Sequence, residues 1–182
     1  MQEHKNFWDK NAGRYDRFMR KDRAAYDEMY ELIRPVVKTK TVLELATGTG
    51  LIAKNIVSAA AHIEATDASA EMITEAKRDT RSAKLHFSVQ DMFRLPYANQ
   101  SFNVVIVSNA LHIVPQPEKA LQEIKRVLKD DVVLLAPRCV PPRLRCAWQS
   151  IPYQLPTPAP FWLLRPAGSA HTSRHMPPDP FA

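Results

Sequence analysis

The feature that most constrains the fold is a regular alternation of short apolar runs and helical patterns between residues 41 and 136. The apolar runs are rich in β-branched residues and predict strands at 41 to 46, 62 to 66, 84 to 89, 102 to 108 and 132 to 136. Helical spacing between them predicts helices at 50 to 60 and 69 to 79, the second with Ser69 as its N-cap. It also predicts a third helix that begins at Pro117 and has Leu128 on its apolar face. Strands joined through helices pair in parallel, so the sequence predicts an α/β fold with a doubly wound, mostly parallel sheet.

Helical patterns also precede the first strand. Tyr26, Met29, Tyr30 and Ile33 recur at intervals of three and four residues, and Pro35 is expected to end that helix. An earlier pattern of the same kind begins at Tyr15. We therefore expect residues 1 to 35 to form helices in front of the sheet.

The composition changes abruptly near residue 132. Of the 15 prolines, 11 lie between Pro137 and Pro180, and no Lys follows Pro137 although 11 of the 20 basic residues before it are Lys. Apolar residues such as Trp148 and Trp162 follow no helical or strand period there. The sequence predicts one folded domain over residues 1 to 136 and an irregular Pro/Arg-rich tail over residues 137 to 182.

The charge and the apolar runs exclude several classes of protein. The formal charge is +6, but five Arg against one Asp after Pro137 account for +4 of it, so we expect no nucleic-acid partner. No apolar run approaches the roughly 20 residues that span a bilayer, and the first ten residues lack a signal-peptide core. With only two Cys residues, the chain is interpreted as soluble and cytoplasmic, without a membrane span.

A zinc site is the one metal interpretation that the sequence offers. Cys139, Cys146, His171 and His175 are possible ligands, but their spacing fits no common zinc finger. We therefore expect no metal site.

The stretch TVLELATGTGL carries the strongest indication of a ligand. Gly48, Gly50 and Ala53 fit the G-x-G-x-x-A pattern of dinucleotide sites, and Asp67 lies near the spacing of a ribose-binding acid. Glu44, at the end of the preceding strand, would repel a pyrophosphate but attract an ammonium or a sulfonium. The helix that follows can accept a carboxylate at its N-terminus. S-adenosylmethionine combines these groups with a ribose, so it is favoured over a nicotinamide cofactor.

Four segments resemble the successive motifs of class I S-adenosylmethionine-dependent methyltransferases: VLELATGTG, IEATDASAEMITEAK, VQDMFRLPYANQSFNVVIVSNALHIV and ALQEIKRVLK. The resemblance covers residues 7 to about 131. Within the family it is nearest the methyltransferase type 11 domain group that includes the ubiquinone/menaquinone biosynthesis enzymes. It implies a Rossmann-like fold and in-line transfer of a methyl group to a small-molecule acceptor.

The resemblance also implies which residues hold the methionine and ribose of the cofactor. Glu44 and the backbone of Ala46, Gly48 and Gly50 would hold the methionine moiety. Asp67 would accept both ribose hydroxyls, because a carboxylate has two acceptor oxygens.

The remaining residues implied by the resemblance lie around the adenine and the methyl group. Met72 would lie near the adenine, while Asp91 and the backbone of Met92 would take its amino group. Asn109 would line the cavity near the methyl group. Tyr15 would close the cofactor as part of a lid formed by residues 1 to 35.

Each of these assignments has a plain structural alternative. Asp67 and Asp91 are also placed as ordinary cap or turn acids, and Tyr15 and Met72 are also spaced as core residues. His112 follows the sequence NAL and could serve as a general base, but a histidine whose ring nitrogens bind backbone is the commoner case.

The end of the chain departs from the family pattern. Relatives continue past the fifth strand with further strands that complete the sheet, and here the sequence predicts none beyond Ala136. The chain is therefore interpreted as truncated or frame-shifted after strand five. Two alternatives to an active methyltransferase stay open: a catalytically impaired remnant that binds S-adenosylmethionine, and a nicotinamide-dependent oxidoreductase.

Overall fold

A computed structural model of the chain describes residues 23 to 111 and 113 to 135, with the backbone alone at Ala25 and at residues 130 to 135. The elements are, in chain order, α1 (Arg23–Val37), β1 (Thr41–Leu45), α2 (Leu51–Ile56), β2 (His62–Asp67), α3 (Ala70–Lys77), β3 (Leu85–Val89), β4 (Phe102–Val107), α4 (Pro117–Val127) and β5 (Leu128–Leu135).

The five strands form one sheet in the order β3-β2-β1-β4-β5, and all four pairings are parallel. The chain winds outward from β1 to β3, then crosses back beside β1 and continues to β5. The strand order therefore reverses between β1 and β4, as in doubly wound folds. This confirms the predicted fold class. The expected loss of the last strands concerns residues after 135, which lie outside the described part.

The sheet separates two hydrophobic layers. Val42, Ile63 and Val104 point to the face covered by α1, α2 and α3. Leu43 and Val105 are the next residues along their strands and point to the opposite face, where α4 packs. Helices therefore cover both faces, which explains why the inner strands β1 and β4 bury apolar side chains on both faces of the sheet.

The sequence predicted that helix α1 ends at Pro35, but the helix continues to Val37. Proline removes one backbone N–H from the last turn of the helix. The buried side chains of Ile33 and Val37 hold that turn against the core, and the Lys40 N–H closes it on the Val37 carbonyl at 3.0 Å. Packing therefore outweighs the cost of a proline so near the helix end.

Strand β5 begins at Leu128, four residues before the predicted strand. Leu128 was expected on the helix face, but its backbone is extended (φ −72°, ψ 140°) and pairs with Phe102. The pairing then shifts register before Val104 meets Val133, so the charged residues 129 to 131 occupy an irregular part of the ladder. Charged residues have low strand propensity, and pairing with β4 overrides it.

The other boundaries differ from the expected ones by a few residues. The helices expected at 50 to 60 and 69 to 79 are shorter, at Leu51–Ile56 and Ala70–Lys77. Ser69 is confirmed as an N-cap, because its hydroxyl accepts the Met72 N–H at 3.1 Å. Across the described ranges, no helix has both the length and the apolar character needed to cross a membrane.

Candidate functional site

The ends of four neighbouring strands meet at one edge of the sheet. Leu45 pairs with Thr66 on one side and with Val107 on the other, and Asp67 pairs with Val89. The residues predicted for the site lie at or just beyond these positions: Glu44, Asp67, Asp91 and Asn109. The structure therefore places them along the edge where doubly wound folds bind ligands.

The chain turns sharply between β1 and α2. Ala46, Gly48 and Gly50 all have positive φ angles, of 52°, 58° and 79°. The Thr47 N–H binds the Thr66 carbonyl at 2.9 Å, and the Gly50 N–H binds the Thr47 carbonyl at 3.0 Å. Glycine adopts this left-handed backbone at little cost, whereas Ala46 adopts it with strain. Residues 46 to 50 are called the glycine turn below.

Gly50 also allows a close approach between the glycine turn and β3. A Cβ atom at Gly50 would lie 2.5 Å from Cζ and 2.7 Å from Cε1 of Phe87, distances that atoms in contact do not reach. Phe87 is buried in the first hydrophobic layer, so its ring cannot swing away into solvent. Both the backbone angle and the lack of space therefore require glycine here.

Glu44 is the buried acid of the site. Its side chain is 2% exposed, and burial raises the pKa of its carboxyl to about 8, with a further contribution from the negative charge of Asp67. The Thr47 hydroxyl and the Ala53 backbone oppose this rise in pKa. Even so, neither Glu44 Oε2 nor Thr47 Oγ1 forms a hydrogen bond of normal geometry with any described residue. Two buried polar atoms beside the glycine turn thus lack a partner within the described chain.

Asp67 links two parts of the site. Its Oδ2 accepts the Gly48 N–H at 2.8 Å, and its Oδ1 accepts the Ser69 N–H at 2.9 Å. The carboxylate at the end of β2 therefore holds both the glycine turn and the start of α3. The contact with Ser69 is the turn role that sequence analysis gave as the structural alternative, whereas the contact with Gly48 was not predicted.

Asp91 forms a turn directly after β3. Its Oδ1 accepts the Phe93 N–H at 2.9 Å, and its carbonyl accepts the Arg94 N–H at 3.0 Å. The turn is exposed, and the next residue, Met92, is partly buried against the second hydrophobic layer. The plain structural alternative, a turn acid, thus describes Asp91 in this structure.

Of the remaining predicted residues, the structure describes two and leaves two outside its described ranges. Met72 is 2% exposed in the first turn of α3, as a core residue would be. Asn109 is partly buried after β4 and has a φ of 53°. Tyr15 and His112 lie outside the described residues, as do the four Cys and His residues considered for zinc. Among the residues that are described, no group of three His, Cys, Asp or Glu could hold a metal ion.

A cleft of about 600 Å³ lies at the opposite edge of the sheet, before the strands begin. Its basic residues include Arg34 and Lys84. Arg34 binds the Asn55 carbonyl at 3.1 Å, and Lys84 binds the Ala60 carbonyl at 3.3 Å. Arg34 therefore joins α1 to α2, and Lys84 joins the start of β3 to the segment between α2 and β2. We interpret the cleft as a structural junction and not as the site.

The strand order and the glycine turn are those of the methyltransferase fold that the sequence motifs resemble. A family model described as a methyltransferase domain matches residues 43 to 136, which is more than half of the chain. The chain belongs to the class I S-adenosylmethionine-dependent methyltransferases. This confirms the resemblance seen in the sequence, and S-adenosylmethionine is the cofactor of the family.

Individual relatives agree with the family. Over 143 residues, this methyltransferase chain is 30% identical to a demethylmenaquinone methyltransferase of Thermotoga maritima, a match that covers 77% of the chain and 62% of the relative. It is 39% identical over 93 residues to a ubiquinone/menaquinone biosynthesis C-methyltransferase of Bdellovibrio bacteriovorus, covering 48% of the chain and 39% of the relative. The chain thus spans less than two thirds of the length of these curated relatives.

A solved structure shares the fold. It is described as a complex between the Haloferax volcanii Trm112 methyltransferase activator and a putative methyltransferase. The match has a TM-score of 0.65 and 25% sequence identity, and covers 72% of this chain and 59% of that one.

The residues present at the strand ends fit the family's cofactor. A buried carboxyl with a free oxygen suits an ammonium, and the main chain of the glycine turn can approach a ligand closely because Gly48 and Gly50 lack a Cβ. The carboxyl favours S-adenosylmethionine over the pyrophosphate of a nicotinamide cofactor, whereas the glycine turn suits either ligand.

Proposed function

We propose that this chain binds S-adenosylmethionine at the carboxyl edge of its sheet and transfers a methyl group to a small-molecule acceptor. The observation that carries the proposal is Glu44, a buried carboxyl beside the glycine turn whose Oε2 has no partner among the described residues. A buried polar atom without a partner costs about 1 to 3 kcal/mol, and a cationic ligand would supply that partner.

The glycine turn and the acids on either side of it would bind the methionine and ribose parts of the ligand. Glu44 would bind the ammonium group, and the backbone of Ala46, Gly48 and Gly50 would lie along the methionine chain. Asp67 would bind the ribose hydroxyls, because each oxygen of a carboxylate can accept more than one hydrogen bond. The contacts with Gly48 and Ser69 hold the carboxylate in one orientation at the strand end.

The adenine and the reacting methyl group are assigned to the other strand ends. Met72 would lie near the adenine ring, and Asp91 with the Met92 backbone would bind its amino group. Asn109 would line the cavity in which the acceptor meets the methyl group. Residues 1 to 35, with Tyr15, are proposed as a lid over this cavity within a catalytic domain of residues 1 to 136.

Methyl transfer from a sulfonium requires that the acceptor be aligned with the methyl group, and it requires no nucleophile from the protein. The cofactor would supply a methyl group on a sulfonium, which leaves as a neutral thioether, so no charge on the leaving group needs to be stabilised. With a neutral acceptor the positive charge passes to the acceptor with the methyl group, until a proton is lost. The residues of the site therefore need mainly to orient the acceptor in line and to exclude water. His112 would act as a general base only for an acceptor that must lose a proton.

A quinone precursor is the first acceptor to test, because curated relatives are named demethylmenaquinone methyltransferases. The second candidate function is a catalytically impaired protein that binds the cofactor without transfer. It is favoured by the abrupt change of composition near residue 132, where the sequence departs from the family pattern.

Binding and transfer can be tested separately. Calorimetry with S-adenosylhomocysteine and with NADH should show binding of the first only, and Glu44→Gln should weaken it. Glu64→Gln is the matched control, because Glu64 lies on the neighbouring strand and its oxygens bind His62 and His86. Binding of NADH alone would overturn the proposal. Transfer of a labelled methyl group to demethylmenaquinone then distinguishes an active enzyme from an impaired one.

A further inference from the structure

Arg126, near the end of α4, reaches across to the connection between β3 and β4. Its Nη1 donates to the Tyr97 carbonyl at 2.7 Å and to Asn99 Oδ1 at 3.0 Å, and its Nη2 donates to the Leu95 carbonyl at 3.0 Å. These partners are 27 to 31 residues away in sequence. One guanidinium thus binds three residues of the same loop.

Glu123 completes this arrangement from the preceding turn of α4. Its Oε1 and Oε2 each accept a hydrogen bond from Arg126 at 2.8 Å, and Oε2 also accepts the Leu95 N–H at 2.9 Å. Leu95 is therefore held at its N–H by Glu123 and at its carbonyl by Arg126. The contact with Arg126 lowers the pKa of the Glu123 carboxyl, which favours the charged form.

The connection that this pair holds begins with part of the proposed cofactor site. Residues 90 to 101 contain neither helix nor strand. On one side of the Asp91 turn the Gln90 N–H binds the Asp67 carbonyl at 3.0 Å. On the other side the turn ends at Arg94, and the next residue is the doubly held Leu95. Arg126 and Glu123 therefore supply one of the two anchors that position the Asp91 turn.

We propose that Arg126, braced by Glu123, is a positioning residue for adenine recognition. It touches no part of the cofactor, but it holds the loop so that Asp91 and the Met92 backbone face the adenine amino group. The inference rests on the proposed function, because it assumes that the adenine lies at the end of β3.

A positioning role differs from a merely stabilising one in its effect on ligand discrimination. S-inosylhomocysteine carries a carbonyl oxygen where S-adenosylhomocysteine carries the amino group, so it cannot donate to Asp91. The wild-type chain should bind the adenosyl compound about tenfold or more tightly, since a lost charged hydrogen bond leaves its partner unpaired. Arg126→Met should reduce that ratio toward one, whereas a variant that only lowers stability should leave it unchanged.

Two further variants make the test independent of folding. Arg126→Lys keeps the charge but cannot bind two carbonyls and a carboxylate with one planar group, so its ratio should fall between the others. Lys125→Met removes a neighbouring exposed cation of the same helix and should change nothing. Hydrogen exchange at the Phe93 and Arg94 amides should rise in Arg126→Lys and not in Lys125→Met.

The results distinguish the role of Arg126 from the binding of S-adenosylmethionine itself. If the wild type binds S-adenosylhomocysteine and Arg126→Lys and Arg126→Met keep its discrimination ratio, Arg126 is only structural and the inference is wrong. A wild type that binds both compounds equally would also overturn it, since no amino group would then be recognised. A wild type that binds neither would refute the proposed function together with the inference.

Discussion

The carboxylate of Asp67 binds the backbone N–H of Gly48 at 2.8 Å, across 19 residues of sequence. The acid at the end of β2 therefore controls the shape of the turn that follows β1. Its other oxygen binds the start of α3, so one side chain connects three elements at the edge where the ligand is proposed to bind.

Asp67→Asn tests this connection. The amide of Asn keeps one acceptor oxygen, so one of the two backbone N–H contacts is lost. We expect the free energy of unfolding to fall by about 1 to 3 kcal/mol, the usual loss for a hydrogen bond to a charged group. Urea titration measures it, with Asp79→Asn on the exposed connection after α3 as the control. Equal stability of the two variants would contradict a structural role for Asp67.

Glu44 should make stability depend on pH. Its carboxyl has a pKa of about 8 in the folded chain against 4.5 as the reference value, so between these values the folded state keeps a proton that the unfolded state has lost. The unfolded state binds fewer protons in this range. The contribution of Glu44 to the free energy of unfolding is therefore greatest below about pH 4.5. It falls as pH rises toward about 8, by up to roughly 1.4 kcal/mol per pH unit.

Urea titrations from about pH 5 to about pH 9 measure this dependence. Glu44→Gln should flatten the fall, because the amide does not titrate, and should be more stable than wild type at the alkaline end. Glu75→Gln serves as the control, because its partly exposed carboxylate is paired with Arg78, which keeps its charge over this pH range. An unchanged pH profile in Glu44→Gln would show that Glu44 ionises normally.

Ala46→Gly should stabilise the chain. Ala46 has a φ of 52°, and an L side chain in this region costs about 1 to 2 kcal/mol. Glycine removes that strain but gains entropy in the unfolded chain and loses some packing, so we expect a net gain of up to about 1 kcal/mol. Thermal unfolding measures the gain. Ala65→Gly, at a buried position in β2, is the matched control and should destabilise instead.

Gly50→Ala should destabilise the fold through a defined contact. The new Cβ would meet the Phe87 ring at 2.5 Å, in addition to the strain of a φ of 79°, for a total of about 2 to 4 kcal/mol. Leu at position 87 lacks the ring atoms involved, so Phe87→Leu should relieve part of this cost. A double-mutant cycle checks it, and purely additive losses would contradict the contact.

The sequence alone predicted most of what depends on local spacing. Alternating apolar runs predicted all five strands, and Ser69 was recognised as a cap from its place before a helical pattern. The two glycines after an apolar strand with Glu44 at its end indicated a tight turn beside an acid. These features are local because they follow from backbone geometry and side-chain period within about a dozen residues.

Only the tertiary structure decided the features that join distant residues. Pro35 was expected to end α1, but burial of Val37 carries the helix past it, and pairing with Phe102 begins β5 at Leu128. The contacts from Asp67 to Gly48 and from Arg126 to Leu95 bridge 19 and 31 residues. The donors and acceptors of Asp67 and Arg126 can form hydrogen bonds with many possible partners. Only the folded sheet determines which partners come within hydrogen-bonding distance.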